Sequence, residues 1–276
     1  MATQLEKAQA FRALHEANQV FVIPNPWDAG SARALQSLGF QALATTSSGL
    51  AYSLGADDGS GYVNRELALA NARYIAQAVS IPVSADLENL YAHEPAVAAA
   101  TIPFAAAAGV VGCSIEDATG DKANPIYDFD YAVRRVKAAV MAARSLSFPF
   151  TLTARAENFL HGRKDLDDTI ARLKAFEEAG ADCLYAPGLP DMDAVRAVVS
   201  AVTKPINVLV SSYNADMSVE ELGAAGVRRI SVGGALNRAA WGGFLQGAKE
   251  IAEKGTFTYG RTVAAPGAEV VRLIGG

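Results

Sequence analysis

Five acids and one arginine carry the chemistry legible in this chain. Asp86 and Glu88 stand two apart, Glu116 and Asp117 are adjacent, Asp58 lies in a long segment upstream, and Arg155 ends a run of Thr, Leu and Ala. Carboxylates with no histidine among them suit a hard cation, Mg²⁺ or Mn²⁺, which takes oxygen ligands and keeps several waters. Asp58, Asp86, Glu88 and Glu116 are therefore the expected metal set, acting directly or through water. A guanidinium fork matches carboxylate or phosphoryl oxygens, so Arg155 is expected to hold an oxygen-rich anion. Ser47-Ser48-Gly49 reads as a loop offering hydroxyls and backbone N–H groups to that anion, and Asn207 as a donor to a substrate carboxylate. Lys122, six residues beyond Glu116, is placed to neutralise charge growing on an oxygen. Each has a plainer reading: acids at strand ends cap helices, a loop lysine is solvated, and an asparagine satisfies a nearby backbone group. The acids and Arg155 taken together favour a metal-assisted enzyme site.

Those residues need a scaffold that brings distant segments to one mouth. Eight short apolar runs, at residues 20–24, 42–46, 82–86, 110–116, 150–155, 183–186, 206–210 and 229–233, are each followed by a helix-like stretch. Strands alternating with helices argue for parallel βαβ units. Eight such units in 276 residues match the count and size of a (β/α)8 TIM barrel, read as a single α/β domain over 1–276. In that fold the C-terminal strand ends form the working face, and Asp86, Glu116 and Arg155 fall there. Gly39, Gly109, Gly180 and Gly226 each follow a helical run and precede a strand, the place of a left-handed helix cap. Ile170, Leu173 and Phe176 line one face of a helix predicted over 165–179. Asp191 is predicted to cap the next, running to about residue 201, and Ser218 with Glu221 to form a capping box. Pro103 predicts a kink or break in the alanine-rich stretch 96–108. Two long loops, 47–64 and 118–128, lie where barrels place substrate segments or lids. The segment 255–276 is surplus to the barrel.

Composition narrows the function. The chain is 51% hydrophobic, ample for a large core, and its net charge of −5 gives no basic stripe, so no nucleic-acid partner is expected. No stretch is long and apolar enough for a membrane span. Residues 1–9 carry Glu6 and Lys7 in place of the apolar core of a signal peptide. Cys113 and Cys183 both fall inside predicted strands, as buried thiols rather than a disulfide, and a cytoplasmic location follows. His15, His93 and His161 do not gather at strand ends, which argues against zinc. No lysine lies near the C-terminal end of a strand for a Schiff base, and no glycine-rich dinucleotide fingerprint follows the first strand.

Several motifs, in order, resemble the isocitrate lyase/phosphoenolpyruvate mutase superfamily over nearly the whole chain. They are Pro24-Asn25-Pro26-Trp27-Asp28 with Ser31-Ala32, Thr46-Ser47-Ser48-Gly49-Leu50, Leu54-Gly55-Ala56-Asp57-Asp58, Asp86-Leu87-Glu88, Ile115-Glu116-Asp117 and Ala154-Arg155-Ala156-Glu157. The resemblance implies a Mg²⁺ site from Asp58, Asp86, Glu88 and Glu116, and 2-oxo-acid recognition by Ser48, Gly49 and Arg155. It further implies a mobile gating loop containing Lys122, and chemistry through an enolate. Family members also exchange the eighth helix between subunits. A homotetramer or homodimer with helix exchange is expected, with 255–276 packed on a neighbouring subunit. Two positions depart from the pattern. Glu88 stands where the family usually has Asp. The loop Gly120-Asp121-Lys122-Ala123-Asn124-Pro125 lacks the cysteine that serves the family's lyases as an acid, and Asn124 takes its position.

Three readings follow. The first is a Mg²⁺-dependent lyase cleaving a C–C bond of a small 2-oxo or 2-hydroxy carboxylate, with Lys122, Asn124 and Arg155 catalytic and Ser47, Ser48, Gly49, Arg155 and Asn207 binding substrate. The second is a P–C bond enzyme of the phosphonopyruvate hydrolase or phosphoenolpyruvate mutase type, favoured by Lys122 with Asn124. The third is a barrel that binds 2-oxo acids without turning them over.

Overall fold

The computed structural model describes residues 2–275. All eight expected strands form: β1 Phe21–Ile23, β2 Leu43–Ala44, β3 Val83–Ala85, β4 Gly112–Glu116, β5 Thr151–Arg155, β6 Cys183–Tyr185, β7 Ile206–Leu209 and β8 Arg229–Ser231. Neighbours pair in parallel in the order β1-β8-β7-β6-β5-β4-β3-β2. The ring is nearly closed, because β1 and β2 share no ladder. One backbone bond joins them, from the Ala44 N–H to the Pro24 carbonyl at 3.1 Å. The Asn25 side chain reinforces this seam. Its Nδ2 donates to the Thr45 carbonyl at 3.0 Å, while its Oδ1 accepts the Val232 and Gly233 N–H groups, each at 2.9 Å.

The helices start and stop where local chemistry dictates. Asp165 caps Leu166–Glu178, Asp191 caps Met192–Ala201, and Ser218 with Glu221 closes a capping box on Val219–Ala224. Gly39, Gly109, Gly180 and Gly226 all have φ between 92° and 100°, a region that a Cβ penalises. Pro103 does coincide with a broken helix, but the break is at Ala100, between Pro95–Ala99 and Thr101–Ala107. Proline is tolerated in a first turn, where its missing N–H is not needed, so the second helix starts just before it.

Most apolar side chains pack between the strands and the surrounding helices. The barrel interior is more polar, with Ser84, Ser114, Thr153, Asn207, Ser231 and Arg229 all buried. A helix Gln4–Glu16 plugs the N-terminal end, setting Phe11 and His15 against Phe21. There Arg229 donates to Asn207, His15 and Thr153. Burial and then the Arg229 charge hold the His15 imidazole down to about 3, so it is neutral and accepts through Nε2.

Beyond β8 a long helix, Ala235–Lys254, leaves Leu236, Trp241, Phe244, Leu245 and Ile251 exposed. The terminal helix Gly267–Ile274 lies on Ala29–Ser37 of the same chain, with Arg33 and Ser37 donating to the Ile274 and Leu273 carbonyls. Among the described residues no helix is long and apolar enough to cross a membrane.

Candidate active site

Three neighbouring strands deliver the central charges. Glu116 and Arg155 are register partners at the ends of β4 and β5, so their side chains leave the sheet side by side. Arg155 Nη1 meets Glu116 Oε1 at 2.8 Å and Asp86 Oδ1 at 3.2 Å, and its Nε meets Glu157 Oε1 at 2.7 Å. The guanidinium also lies 4.7 Å from the centre of the Tyr185 ring. Burial works against this charge, but Glu116, Glu157 and Asp86 outweigh it and hold the guanidinium above its ordinary value. Burial pushes the Glu116 carboxyl up while Arg155 pulls it back. Their short contact is that of an ion pair.

Asp86 follows β3 directly. Its N–H donates to Thr45 Oγ1 at 2.9 Å, its Oδ1 accepts Ser114 Oγ at 3.1 Å, and its Oδ2 accepts the Ser47 N–H at 3.1 Å. The stretch 47–49, read from sequence as loop, is the first turn of a helix Ser47–Ser53 capped by Thr46. A helix forms because Thr46 Oγ1 takes the Gly49 N–H, one of the donors a first turn leaves open. Ser48 Oγ sits 3.1 Å from Thr46 Oγ1. A Cβ on Gly49 would lie 2.6 Å from Thr46 Cγ2 and 3.1 Å from Trp27 Cβ, so only glycine lets this turn approach so closely.

The acid beside Glu116 does a different job, because successive strand residues face opposite ways. Asp117 is buried and bonds Arg172 Nη1 at 3.0 Å and the Glu157 N–H at 2.8 Å. Burial, opposed by that N–H bond and by Arg172, raises its carboxyl to about 7. Arg172 also donates to the Tyr127 carbonyl at 2.9 Å and to Asp168 Oδ2 at 2.9 Å. This pair anchors the base of the 118–128 loop. Sequence reasoning assigned no role to Glu157; its spacing of two from Arg155 was the available signal.

Two residues apart, Asp86 and Glu88 would emerge on one side if strand alternation ran through both. The strand ends at Ala85, and Glu88 (φ 49°), Leu90 (φ 61°) and Tyr91 (φ 58°) are left-handed. Such residues cost on the order of 1–2 kcal/mol each. Leu87 and Leu90 are wholly buried, about 1.5–3 kcal/mol each, which offsets the strain. Buried Arg135 donates to the carbonyls of Asn89, Ala92 and His93, fixing the turn from outside. Burial, then Asp86 and Asp58, raise the Glu88 carboxyl to about 7. Asp58, on an exposed part of its loop, is also raised, first by loss of solvent around the carboxyl and then by Asp86.

The expected metal set is thus gathered at one mouth but not closed into a cage. Among the described residues no three His, Cys, Asp or Glu side chains converge as direct ligands. Arg155 Nη1 bridges two members of the set, Asp86 and Glu116. The mutual repulsion of Asp58, Asp86 and Glu88 is a surplus of negative charge that a cation would relieve. Mg²⁺ fits such a set because it is bound by one or two carboxylates and keeps its remaining waters.

Two other expected residues stand apart. Lys122 and Asn124 are exposed. Asn124 Nδ2 approaches Asp121 Oδ2 at 3.4 Å, and the loop is pinned by Thr119 and an Ala118–Ile126 bridge. Asn207, expected to bind substrate, lines the same cavity as Asp86 and Arg155, where its Oδ1 accepts from Arg229 and its Nδ2 donates one hydrogen to Ser231 Oγ.

Known proteins resemble the chain at several distances. The phosphoenolpyruvate phosphomutase family model matches residues 11–252. A solved lyase/mutase candidate from Burkholderia cenocepacia J2315 is 53% identical, with a TM-score of 0.95 over 99% of this chain and 97% of its own. The 2-methylisocitrate lyase of Escherichia coli K12 is 29% identical over 245 residues, 84% of this chain and 81% of that one. The oxaloacetate decarboxylase of Paraburkholderia xenovorans LB400 is 32% identical over 187 residues, 65% of this chain and 60% of that one. With the family model covering most of the barrel and the acids and Arg155 assembled at its mouth, the chain belongs to the isocitrate lyase/phosphoenolpyruvate mutase superfamily of enzymes.

Proposed function

We propose that this protein is a Mg²⁺- or Mn²⁺-dependent lyase that cleaves a C–C bond of a small 2-oxo or 2-hydroxy carboxylate, with decarboxylation of an oxaloacetate-like acid included. The observation that carries the reading is the buried Arg155 ringed by Asp86, Glu116 and Glu157. Nε and Nη1 are committed to these acids, and Nη2 has no partner among the described residues. That edge is the one offered to a ligand carboxylate, with Ser48 and Gly49 across the mouth. Asp86, Asp58, Glu88 and Glu116 are the residues that would hold the cation. When bound, the metal supplies Lewis-acid charge toward a carbonyl or enolate oxygen.

The chain's own residues favour substrates that leave as a pyruvate-type enolate. A dicarboxylate leaving group needs an acid above the nascent carbanion. Cys113 is fully buried, and burial followed by Asp86 pushes its thiol up, so it is a neutral core side chain. Asn124 has no titratable proton. Lys122 on a closed loop would place positive charge beside the developing oxyanion. Isocitrate and 2-methylisocitrate are therefore expected to be poor substrates. The P–C reading is kept by the Lys122–Asn124 pair and by the family model matched. The test is a panel of oxaloacetate, 2-methylisocitrate, isocitrate and phosphonopyruvate with Mg²⁺, following pyruvate and phosphate release. Metal-dependent pyruvate from oxaloacetate supports the proposal, and phosphate from phosphonopyruvate supports the alternative. Robust isocitrate cleavage, or turnover indifferent to EDTA, overturns it. The same reading takes the exposed apolar face of Ala235–Lys254 as the contact of a homodimer or homotetramer in the cytoplasm, to be checked by sedimentation.

A further inference from the structure

Arg135 sits outside the acid ring, on the helix Phe129–Arg144 that begins just after the 118–128 loop. It is buried, yet among the described residues no carboxylate lies within ion-pair distance of it. Its two terminal nitrogens donate to the carbonyls of Asn89, Ala92 and His93, and its guanidinium stacks 4.4 Å from the centre of the Tyr127 ring. Burying a guanidinium against neutral carbonyls is costly, and a packed apolar side chain would serve a purely structural core better. What the arrangement does is specific. The Asn89 carbonyl lies within the turn in which Glu88, Leu90 and Tyr91 are left-handed, and those of Ala92 and His93 follow it directly. None of the three is Gly, Asn or Asp, the residues that adopt this region readily. Within the turn, Tyr91 Oη is buried without a partner, so that side chain does not hold the turn by a hydrogen bond. The other end of the clamp is Tyr127, whose hydroxyl bonds His93 Nδ1 at 2.6 Å and whose carbonyl is taken by Arg172.

We propose that Arg135 is a positioning residue for the metal site: it holds the left-handed turn that aims Glu88, and through Tyr127 ties that turn to the base of the gating loop. The proposal rests on the reading of Glu88 as one of the acids that face the cation. Glu88 is itself left-handed, so any relaxation of the turn swings its carboxylate. Mg²⁺ demands near-octahedral geometry and is intolerant of such a shift.

Arg135→Lys keeps the charge and most of the stem but cannot span three carbonyls. Mn²⁺ affinity of the intact protein is measured by calorimetry, beside melting temperature and the Mg²⁺ concentration for half-maximal turnover. The expected result is a loss of about tenfold in Mn²⁺ affinity, the scale of disturbing the support of a metal ligand. The Mg²⁺ requirement should rise in parallel, while turnover at saturating Mg²⁺ stays within about twofold. Arg135→Gln, which removes the charge, should show the same loss and serves if the lysine variant folds poorly. Wild-type-like Mn²⁺ affinity in a folded variant, with only a lowered melting temperature, overturns the proposal and leaves Arg135 a structural residue. A wild-type protein that binds no Mn²⁺ overturns the metal reading itself, and this inference with it.

Discussion

Glu88→Gln turns the crowding of acids at the barrel mouth into a measurable stability. The folded protein holds the Glu88 proton up to about 7, against an ordinary 4.5. The stabilisation from this group is therefore whole below 4.5, declines as pH rises, and is gone above about 7. The difference of roughly 2.5 units at about 1.4 kcal/mol each gives some ~3 kcal/mol, which partial solvent access to the side chain lowers to about 2 kcal/mol. Glutamine keeps the shape and cannot ionise, so it does not suffer the decline. In EDTA at pH 8 the variant should melt about 4–8 °C above wild type, and at pH 4.5 the two should coincide. Circular dichroism melts across that window make the comparison, since other titrating groups are common to both proteins. Adding Mg²⁺ should raise the wild-type melting temperature and close the gap. A variant that melts at or below wild type at pH 8 would refute the account of Glu88 as a carboxylate crowded by Asp86 and Asp58.

Arg155→Lys retains a charge but loses the fork, and should weaken oxalate binding, read by calorimetry, by at least about tenfold. Lys122→Ala should lower kcat by more than about tenfold while sparing oxalate affinity, because on the proposed function the exposed lysine would reach the site only with the loop closed; equal losses in both would place it in ground-state binding. Gly112→Ala sets a Cβ 2.6 Å from the Thr151 carbonyl oxygen and 3.1 Å from the Phe11 ring. It should cost about 1–3 kcal/mol by urea denaturation, because one of the two obstacles is backbone.

The strand count and working face were legible because they rest on local rules. Glycine caps and the runs between them fix eight units, and the place of Glu116 and Arg155 at two successive strand ends makes them neighbours. The misses occur where tertiary packing decides. Leu90 and Tyr91 give no hint of left-handed backbone, since neither favours it; buried Leu87 and Leu90 and the Arg135 clamp impose it. Arg135 and Arg172 look like a helix's solvated face until their partners, distant in sequence, are known. Asn207 was readable as a donor, but the bond its Oδ1 accepts from Arg229, 22 residues away on the next strand, was not. Ser47 to Gly49 read as loop because one threonine cap before a seven-residue helix is a weak signal.

The break between β1 and β2 gives the barrel a clasp. Seven junctions of the ring are laced by ladders, and the eighth hangs on one main-chain bond and the amide of Asn25. The strand on the loose side, β2, is two residues long and runs directly into the turn bearing Ser48 and Gly49. On the proposed function, a ligand held by that turn and by Arg155 would span the open side of the hoop. Occupancy and closure would then be one equilibrium, with a small anion at the mouth tightening the whole cylinder.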